Sequence, residues 1–449
     1  MTGKAEKFFE KYNLIFLAAL AGVYIYSRNK YLGETSYYMH IDELRSAFDS
    51  MSLANGGSLH FSGASLYVLL GALAMKLKGG LFSLKLFRLI AVAFGLVGMI
   101  FSYLTVYEMK KSRKYAFLEA VVVTTLPVFF TFERTGIPAH MFLYIVPAVF
   151  YFLIKGLSAE KNRKMLYFGI CAAVFALMLI LSGFGGILAG FSNVPRNVMN
   201  FVRIFWDDGH PYNISGAFGT IYVFSIPVLI AGVIVSIAAL IGSVKKKTFD
   251  ANVILWIYTV VCLVITLFIK DADVRTAGPV FFAISLFITE GLIYICEHIR
   301  VAFVIETAVY LVCFFVFTGY YYENFNSEVN NSADHEAGLV VDKSVGEAVK
   351  ASLKELPDKE IVVITDDFYG RNLMIALYGG ATGEELDEIG DKEEFSFGRI
   401  TVTNTPDPEA ASYKAYIISQ YEHQDAIDAL TNSGWGCIYL KEYTICFMN

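Results

Sequence analysis

Charged residues are scarce in this sequence: they make up 17% of its 449 residues, whereas a soluble domain normally carries about a quarter. Hydrophobic residues account for 56%, and the mean hydropathy is +0.52. The apolar residues come in runs of roughly 17–25, the length that a helix needs to cross a bilayer. Inside hydrocarbon, such uninterrupted runs satisfy their backbone groups as helices. The composition therefore excludes a soluble enzyme and predicts a polytopic α-helical membrane protein.

The motifs of many soluble enzymes are also absent. The sequence has no glycine-rich phosphate loop and no nucleophile motif, and none of its six cysteines stands at metal-ligand spacing. Cys437 and Cys446 pair only if their strands place them close together, which the spacing leaves open. The N-terminal segment lacks the small-residue cleavage site of a signal peptide, so we expect its apolar run to be a retained span.

Acidic residues are in excess only towards the end of the chain. Residues 325–449 contain 23 Asp and Glu against 9 Lys and Arg, a net charge of −14, whereas residues 1–324 are net +8. A split of this size indicates two physical environments. We predict a transmembrane domain over 1–324, with an outer loop at 29–83, and a soluble extracytoplasmic α/β domain over 325–449.

The basic loops orient the spans, because basic residues collect on the cytoplasmic side. Basic residues near the N-terminus and clusters at 110–114, 155–164 and 245–247 mark the inner side. Alternation then places the N-terminus in the cytoplasm and the C-terminal domain outside. The nine predicted spans are 13–26, 84–109, 116–133, 138–155, 166–190, 219–242, 252–269, 276–295 and 300–321.

The outer loop contains one ambiguous segment, Ser58–Met75, which is apolar enough to be a span. A span there would turn the basic cluster at 110–114 to the outer face. We therefore predict an interfacial helix giving nine spans, the alternative being a tenth span that breaks the charge rule. Before it, Tyr38–Ser52 predicts an amphipathic helix suited to the interface. Its apolar side carries Met39, Leu44, Phe48 and Met51, and its polar side Asp42, Glu43, Arg45 and Asp49.

The acidic C-terminal domain shows short β-branched runs separated by helical segments, as in a small α/β fold. The predicted strands are Glu360–Thr365, Arg399–Thr403 and Tyr413–Ser419, and the predicted helices are Val345–Leu356, Gly370–Leu377 and Gln424–Asn432.

An acidic pair, Asp42 and Glu43, follows the first span on the predicted outer face, with His40 before it and His60 after it. The simplest interpretation is two solvated charges on a surface helix. Their position beside the bilayer favours a second interpretation, in which the pair takes part in chemistry at the membrane surface.

Two arginines, Arg134 and Arg275, stand at predicted outer ends of spans. Interfacial snorkelling explains many arginines at such positions. Positive charge is nevertheless disfavoured on the outer side. We therefore expect a binding partner for these two arginines more than for arginines on the inner side. A phosphate at the headgroup level fits, because a guanidinium group binds it in a bidentate fork.

Several acidic residues have the spacing of divalent-metal ligands, but such pairs are common by accident. We therefore predict no cofactor and keep a divalent metal as the alternative. These pairs are Asp207 with Asp208 and Asp271 with Asp273. Other carboxylates lie near span ends, which does not indicate a chain of buried proton relays. They are Glu119, Glu290 and Glu306.

This layout resembles a known family. The stretches HIDELRSAFDSMSLANGGSLHFSGASLYVLLGAL, LFRLIAVAFGLVGMIFSYLTVYEMKKSRK and LPVFFTFERTGIPA are similar to the GT-C polyprenyl-phosphate-sugar transferases, above all the protein O-mannosyltransferase and aminoarabinose transferase group. The resemblance covers roughly residues 10–325 in layout. The prolines usual in that group are missing after His60 and after Arg88-Leu89.

The resemblance implies a fold, an activity and partners. Asp42 would be the general base for an acceptor hydroxyl that attacks the anomeric carbon and inverts it. Glu43 would orient the acceptor or support Asp42. Arg134, Arg275 and His60 would bind the lipid phosphate of the donor. The partners would be a polyprenyl-phosphate-linked sugar, a cell-envelope glycan, lipid or protein acceptor, and the bilayer, with no nucleic acid.

Two other classes stay open. A transporter or flippase would show internal repeats and mid-membrane charges or helix breaks, and we find no clear repeat. A non-catalytic scaffold or sensor would use the acidic domain to bind a partner, and it would tolerate replacement of Asp42.

Overall fold

The computed structural model describes residues 2–448 except 35–36, 60–65, 182–193, 204, 206–216, 269–273, 275–276, 300, 366–369, 390–391, 393, 406–410 and 441. The helices are α1 (Thr2–Asn29), α2 (Ile41–Ala54), α3 (Leu66–Leu77), α4 (Leu84–Lys110), α5 (Arg113–Thr125), α6 (Pro127–Glu133), α7 (Met141–Ser158), α8 (Lys161–Leu181), α9 (Val194–Arg203), α10 (Ser225–Lys245), α11 (Ala251–Phe268), α12 (Gly278–His298), α13 (Ala302–Asn330), α14 (Ala333–Glu336), α15 (Ser344–Glu355), α16 (Arg371–Gly379), α17 (Gly383–Ile389) and α18 (Gln424–Asn432). The strands are β1 (Tyr38–His40), β2 (Val340–Asp342), β3 (Glu360–Ile364), β4 (Phe395–Phe397), β5 (Ile400–Thr403), β6 (Lys414–Ser419), β7 (Gly436–Tyr439) and β8 (Tyr443–Phe447).

The chain forms two compact units. The helical unit contains Met1–Leu32 and Arg88–Ala333, and the sheet unit contains Gly33–Phe87 and Asp334–Asn449. The outer loop falls in the same unit as the C-terminal segment, whereas the predicted division groups it with the spans. The sheet unit is thus assembled from two segments that are far apart in sequence.

Within the described residues, seven helices are long and apolar enough to cross a membrane: α1, α4, α7, α10, α11, α12 and α13. The pair α5 and α6 makes an eighth if it is counted as one span, bent by 60°. The bend falls at Pro127, whose ring cannot continue the helix of the preceding residues. The predicted total of nine is not reached in this part of the chain, since the span expected at 166–190 runs into undescribed residues beyond α8.

Close helix packing in the helical unit depends on glycine. A Cβ at Gly232 in α10 would overlap the carbonyl oxygen of Phe287, and one at Gly291 in α12 would overlap that of Val228. The two helices therefore approach backbone to backbone, as small residues allow between membrane helices. Most residues of α12 are buried, because this helix packs against α5, α7, α10, α11 and α13.

The main sheet of the sheet unit has six strands in the order β4-β5-β3-β6-β8-β7. Its centre, β5-β3-β6, is parallel, and the outer strands pair antiparallel. The three predicted strands and three predicted helices of the C-terminal domain agree with β3, β5, β6, α15, α16 and α18. The sequence reasoning missed β4, β7 and β8.

Helix α3 covers the second half of the ambiguous apolar segment, and residues 60–65 before it lie outside the described residues. Its 12 residues span about 18 Å, too short for a hydrocarbon core of about 30 Å. It packs instead on α2, where the Ser50 hydroxyl donates to the Val68 carbonyl at 3.1 Å. The choice between an interfacial helix and a tenth span remains a prediction.

Cys437 and Cys446 form a disulfide bond, the pairing that the sequence left open. They stand opposite each other on β7 and β8, with their Cα atoms 4.2 Å apart. The bridge closes the edge hairpin of the six-stranded sheet.

Candidate functional site

The candidate acidic pair lies at the start of α2, and a short strand fixes the chain that leads into it. Strand β1 pairs antiparallel with β2, which brings His40 opposite Val340. The Ile41 amide then donates to the Leu339 carbonyl at 2.8 Å. The first turn of α2 is therefore anchored by the C-terminal segment of the chain, far from it in sequence.

His40 is the N-cap of α2. Its Nδ1 accepts a hydrogen bond from the Asp42 amide at 3.2 Å and lies 3.6 Å from the Asp42 carboxylate. Because Nδ1 accepts, the neutral ring carries its proton on Nε2. The carboxylates of Asp42 and Glu43 both fall in the first turn, where the helix dipole favours negative charge.

The two acidic side chains differ in exposure. The side chain of Asp42 is 45% exposed, whereas Glu43 is fully buried. A group that exchanges a proton with a substrate must be reachable, so this geometry suits Asp42 for such a role. Glu43 is enclosed by protein, which does not suit it for such an exchange.

The predicted surface helix is wrong in two respects. Tyr38 to His40 form strand β1 rather than helix, and α2 is not polar on one side: Glu43 and Asp49 are both buried. The physical reason is that α2 is covered by several elements of its own unit, with α3, α16 and α17 packed against it. The predicted apolar residues are all fully buried, with Met39 on β1 and Leu44, Phe48 and Met51 on α2.

Arg134 is buried in the helical unit and contacts the end of α1. Its Nη1 donates to the carbonyl oxygens of Ser27 at 3.2 Å, Arg28 at 2.7 Å and Lys30 at 2.9 Å. These are carbonyls that a helix end leaves without intrahelical partners. The contacts favour a structural role for Arg134, and its predicted phosphate contact remains a prediction.

A second arginine, Arg28, was missed by the sequence reasoning. Its Nε donates to the Glu133 carboxylate at 2.7 Å, and both side chains are buried. Its Nη2 donates to the Thr124 carbonyl at 2.6 Å, and the guanidinium lies 4.3 Å from the Tyr24 ring centroid. The available signal was the charge itself, because an ionisable residue at the end of an apolar span needs a partner.

The other buried carboxylates of the helical unit have local partners. Glu119 accepts hydrogen bonds from the hydroxyls of Ser285 at 2.8 Å and Thr289 at 2.6 Å. Glu290 pairs with Lys110 at 2.8 Å. Each contact is a satisfied pair between neighbouring helices.

The remaining predicted site residues lie outside the described residues. They are His60, Arg275, Asp207, Asp208, Asp271 and Asp273. In the part of the chain that the structure does describe, no three His, Cys, Asp or Glu side chains group as metal ligands. The acidic pairs that the sequence offers as divalent-metal ligands therefore all lie outside the described part of the chain.

Comparison with known proteins identifies the fold. The chain is similar to the crystal structure of ArnT from Cupriavidus metallidurans bound to undecaprenyl phosphate, with a TM-score of 0.52, 11% identity, and 96% of this chain and 97% of that one covered. The apo state of ArnT gives a TM-score of 0.51 at 12% identity, covering 97% and 98%. No family model and no curated protein sequence matches the chain.

The protein is thus a multi-pass membrane protein with the GT-C fold. The particular structure whose fold it shares is that of an aminoarabinose transferase, ArnT, which belongs to the group indicated by the sequence resemblance. The predicted fold class is confirmed.

Proposed function

We propose that the protein is a membrane glycosyltransferase that moves a sugar from a polyprenyl-phosphate donor to an acceptor hydroxyl on the outer face of the membrane. The observation that carries this proposal is the similarity to ArnT bound to undecaprenyl phosphate, which extends over 96% of this chain. A lipid-linked donor brings its activated sugar within the membrane, so the absence of a nucleotide-binding motif does not oppose the proposal.

In the proposed reaction, Asp42 is the general base. The acceptor oxygen attacks the anomeric carbon from the side opposite the phosphate, and its proton passes to the Asp42 carboxylate. The bond from the anomeric carbon to the phosphate oxygen breaks, and polyprenyl phosphate leaves with the electron pair. The configuration at that carbon is inverted. The half-exposed carboxylate of Asp42 supports this assignment, and the buried Glu43 is assigned to positioning it.

The donor phosphate needs positive charge as it leaves, since such stabilisation is often the largest contribution to catalysis. We assign Arg275 and His60 to this role from their place in the sequence. Of the three proposed phosphate ligands, Arg134 is the weakest candidate, because its Nη1 already donates hydrogen bonds to three backbone carbonyls.

The orientation of the protein is part of the proposal. The disulfide between Cys437 and Cys446 supports an oxidising, extracytoplasmic compartment for the sheet unit. Asp42 belongs to the same unit, so the acidic pair shares that compartment. The basic cluster at 110–114 supports the opposite side for the loop between α4 and α5.

The test is turnover of defined donors. The purified protein in proteoliposomes receives a panel of polyprenyl-phosphate sugars, each labelled in the sugar, together with a cell-envelope fraction as the source of acceptors. We expect one donor to release polyprenyl phosphate in proportion to the label transferred, and NMR of the product to show an inverted anomeric centre. Proteoliposomes without the protein are the control. A retained configuration would contradict the mechanism, and no turnover with any donor would contradict the function.

A further inference from the structure

A pocket of about 450 Å³ lies in the sheet unit, and the proposed reaction does not use it. Its walls come from three stretches of chain: residues 33–34 before β1, residues 82–85 at the start of α4, and the side of α15 between Glu347 and Glu355. Tyr378 of α16 completes it. All of these residues belong to the sheet unit and are among the described ones. We call this cavity the α15 pocket.

The walls of the α15 pocket are held together by close contacts. The Lys343 side chain is 4% exposed, and its Nζ donates to the Gly33 carbonyl at 3.0 Å, which ties the residue before α15 to the chain before β1. A Cβ at Gly33 would lie 3.3 Å from the Lys85 Cβ, so the same residue packs against the start of α4. The three walls therefore keep their spacing, and the pocket is preformed, as small-molecule sites usually are.

Two aromatic rings form the apolar part of the pocket. The ring centroids of Phe82 and Tyr378 are 5.3 Å apart, and the rings meet edge to face at 67°. The Tyr378 ring lies against α15 where Gly346 has no side chain, since a Cβ there would come within 2.7 Å of the ring. An aromatic face carries negative charge density and attracts C–H groups that carry a small positive charge. The C–H faces of a sugar ring are groups of this kind.

The charged side chains of the pocket are balanced in sign. Three are lysines and three are glutamates: Lys85, Lys350, Lys354, Glu34, Glu347 and Glu355. Lys354 pairs with Glu355 at 2.8 Å, whereas Lys85, Lys350 and Glu34 make no ion pair or side-chain hydrogen bond within the described residues. A balanced set does not select a simple anion or cation. It offers ammonium donors and carboxylate acceptors side by side, and a sugar hydroxyl is both a donor and an acceptor.

From this combination we infer that the α15 pocket binds a saccharide unit of the acceptor, which makes the acceptor a glycan. The inference rests on the proposed glycosyltransferase function and adds to it the class of acceptor. A saccharide uses both features of the pocket, because its C–H faces pack on the aromatic rings and its hydroxyls bond to the charged side chains. A simple ion would use only half of the charged groups, and a hydrocarbon chain would use none of them.

The place of the pocket in the chain suits a part of the acceptor that is remote from the reacting hydroxyl. Glu34 stands eight residues before Asp42, so their Cα atoms are at most about 29 Å apart. This distance is within the reach of a glycan of a few sugar units. Lys85 stands in the first turn of α4, a helix long and apolar enough to cross a membrane, so the pocket lies close to the bilayer surface.

The first test is binding, measured without a donor so that it does not depend on turnover. The full purified chain in nanodiscs is titrated with neutral tetrasaccharides of glucose, mannose, galactose or N-acetylglucosamine, and with inorganic phosphate, by saturation-transfer NMR. Tyr378→Leu removes the aromatic face but keeps an apolar side chain, and Tyr421→Leu, on an exposed tyrosine outside the pocket, is its matched control. Ala351→Arg places a long side chain across the pocket, and Ala429→Arg is its control on an exposed position of α18.

We expect at least one tetrasaccharide to bind saturably. Tyr378→Leu should weaken that binding about tenfold, which corresponds to an aromatic contact of about 1.4 kcal/mol. Ala351→Arg should abolish it, and both controls should bind as the wild type does. Melting temperatures report folding, and if Tyr378→Leu does not fold, Ala351→Arg against Ala429→Arg decides. Binding of no tetrasaccharide, binding of phosphate alone, or equal losses in a pocket variant and its control would overturn the site.

The second test is transfer, and it separates this inference from the proposed function. With a labelled donor and a cell-envelope fraction divided into glycolipids, polysaccharides and proteins, we expect the label in glycolipids or polysaccharides, and the labelled fraction identifies the source of the glycan. Ala351→Arg should raise KM for that acceptor and leave kcat near the wild-type value, because a remote contact is made equally in the ground state and the transition state.

Transfer to protein alone, or an unchanged KM in Ala351→Arg, would overturn the inference while the glycosyltransferase function stands. No transfer with any donor, together with saccharide binding that the pocket variants lose, would contradict the function and leave the α15 pocket as a saccharide site.

Discussion

The charged side chains at the end of α1 and at the start of α2 differ in their exposure to solvent. At the end of α1, Arg28, Glu133 and Arg134 are buried, and they contact protein carbonyls and each other. At the start of α2, the Asp42 side chain is 45% exposed. In sequence the two regions are alike, since both place charges where an apolar span gives way to a loop. The difference in exposure separates charges that hold the fold from one that can meet a substrate.

The largest expected effect concerns the compartment that contains Asp42. Lys350→Cys, on an exposed position of the sheet unit, should react with a membrane-impermeant thiol reagent in intact cells, and Ser112→Cys should not. Both should react after permeabilisation, and the wild type supplies the background. Labelling at 112 but not at 350 would invert the orientation and remove the catalytic role of Asp42 with it.

Arg28→Ala should produce the largest loss of stability. It leaves the Glu133 carboxylate buried without its partner, and breaking a buried pair in this way costs about 3–5 kcal/mol. Thermal denaturation in detergent measures the effect. Arg163→Ala, on an exposed side chain of the same unit, is the control and should change little. An unchanged melting temperature for Arg28→Ala would show that the pair does not stabilise the fold.

Arg134→Ala should cost less, about 1.5–3 kcal/mol, because it removes a charged donor from the carbonyls at the end of α1. Arg134→Lys should restore only part of this loss, since an ammonium group lacks the planar fork.

The same substitution tests the predicted phosphate role of Arg134. If Arg134 and Arg275 bind one phosphate, a double-mutant cycle on donor binding should give a coupling of roughly 0.5–3 kcal/mol. Additive effects would leave Arg134 with its structural role alone.

His40→Ala should have the smallest effect on stability, about 1 kcal/mol, the usual cost of losing an N-cap side chain. Because the ring also lies beside the Asp42 carboxylate, turnover should fall as well. His40→Asn keeps a capping acceptor and should recover the stability. If Asn fails to recover it, the cap is not the reason for the loss.

Sequence reasoning recovered what periodicity and hydropathy encode directly. The spans, the α/β character of the C-terminal domain and the apolar side of α2 all depend on local patterns of side chains. The burial of Glu43 and the anchoring of β1 by β2 depend on pairing between segments about 300 residues apart, which no local pattern records. The contacts of Arg134 with the end of α1 also join distant parts of the sequence, so the sequence pattern predicted a phosphate ligand and not these contacts.

The most direct test of the account compares two aspartates in matching positions. Asp42 and Asp425 are each the second residue of a helix in the sheet unit, and each helix has a histidine at its N-cap. We predict that Asp42→Asn lowers transfer 10²- to 10⁴-fold, the usual cost of losing a general base, with little change in melting temperature. Asp425→Asn should leave both transfer and melting temperature at the wild-type values. Turnover of Asp42→Asn within about threefold of wild type, or an equal loss in Asp425→Asn, would contradict the assignment.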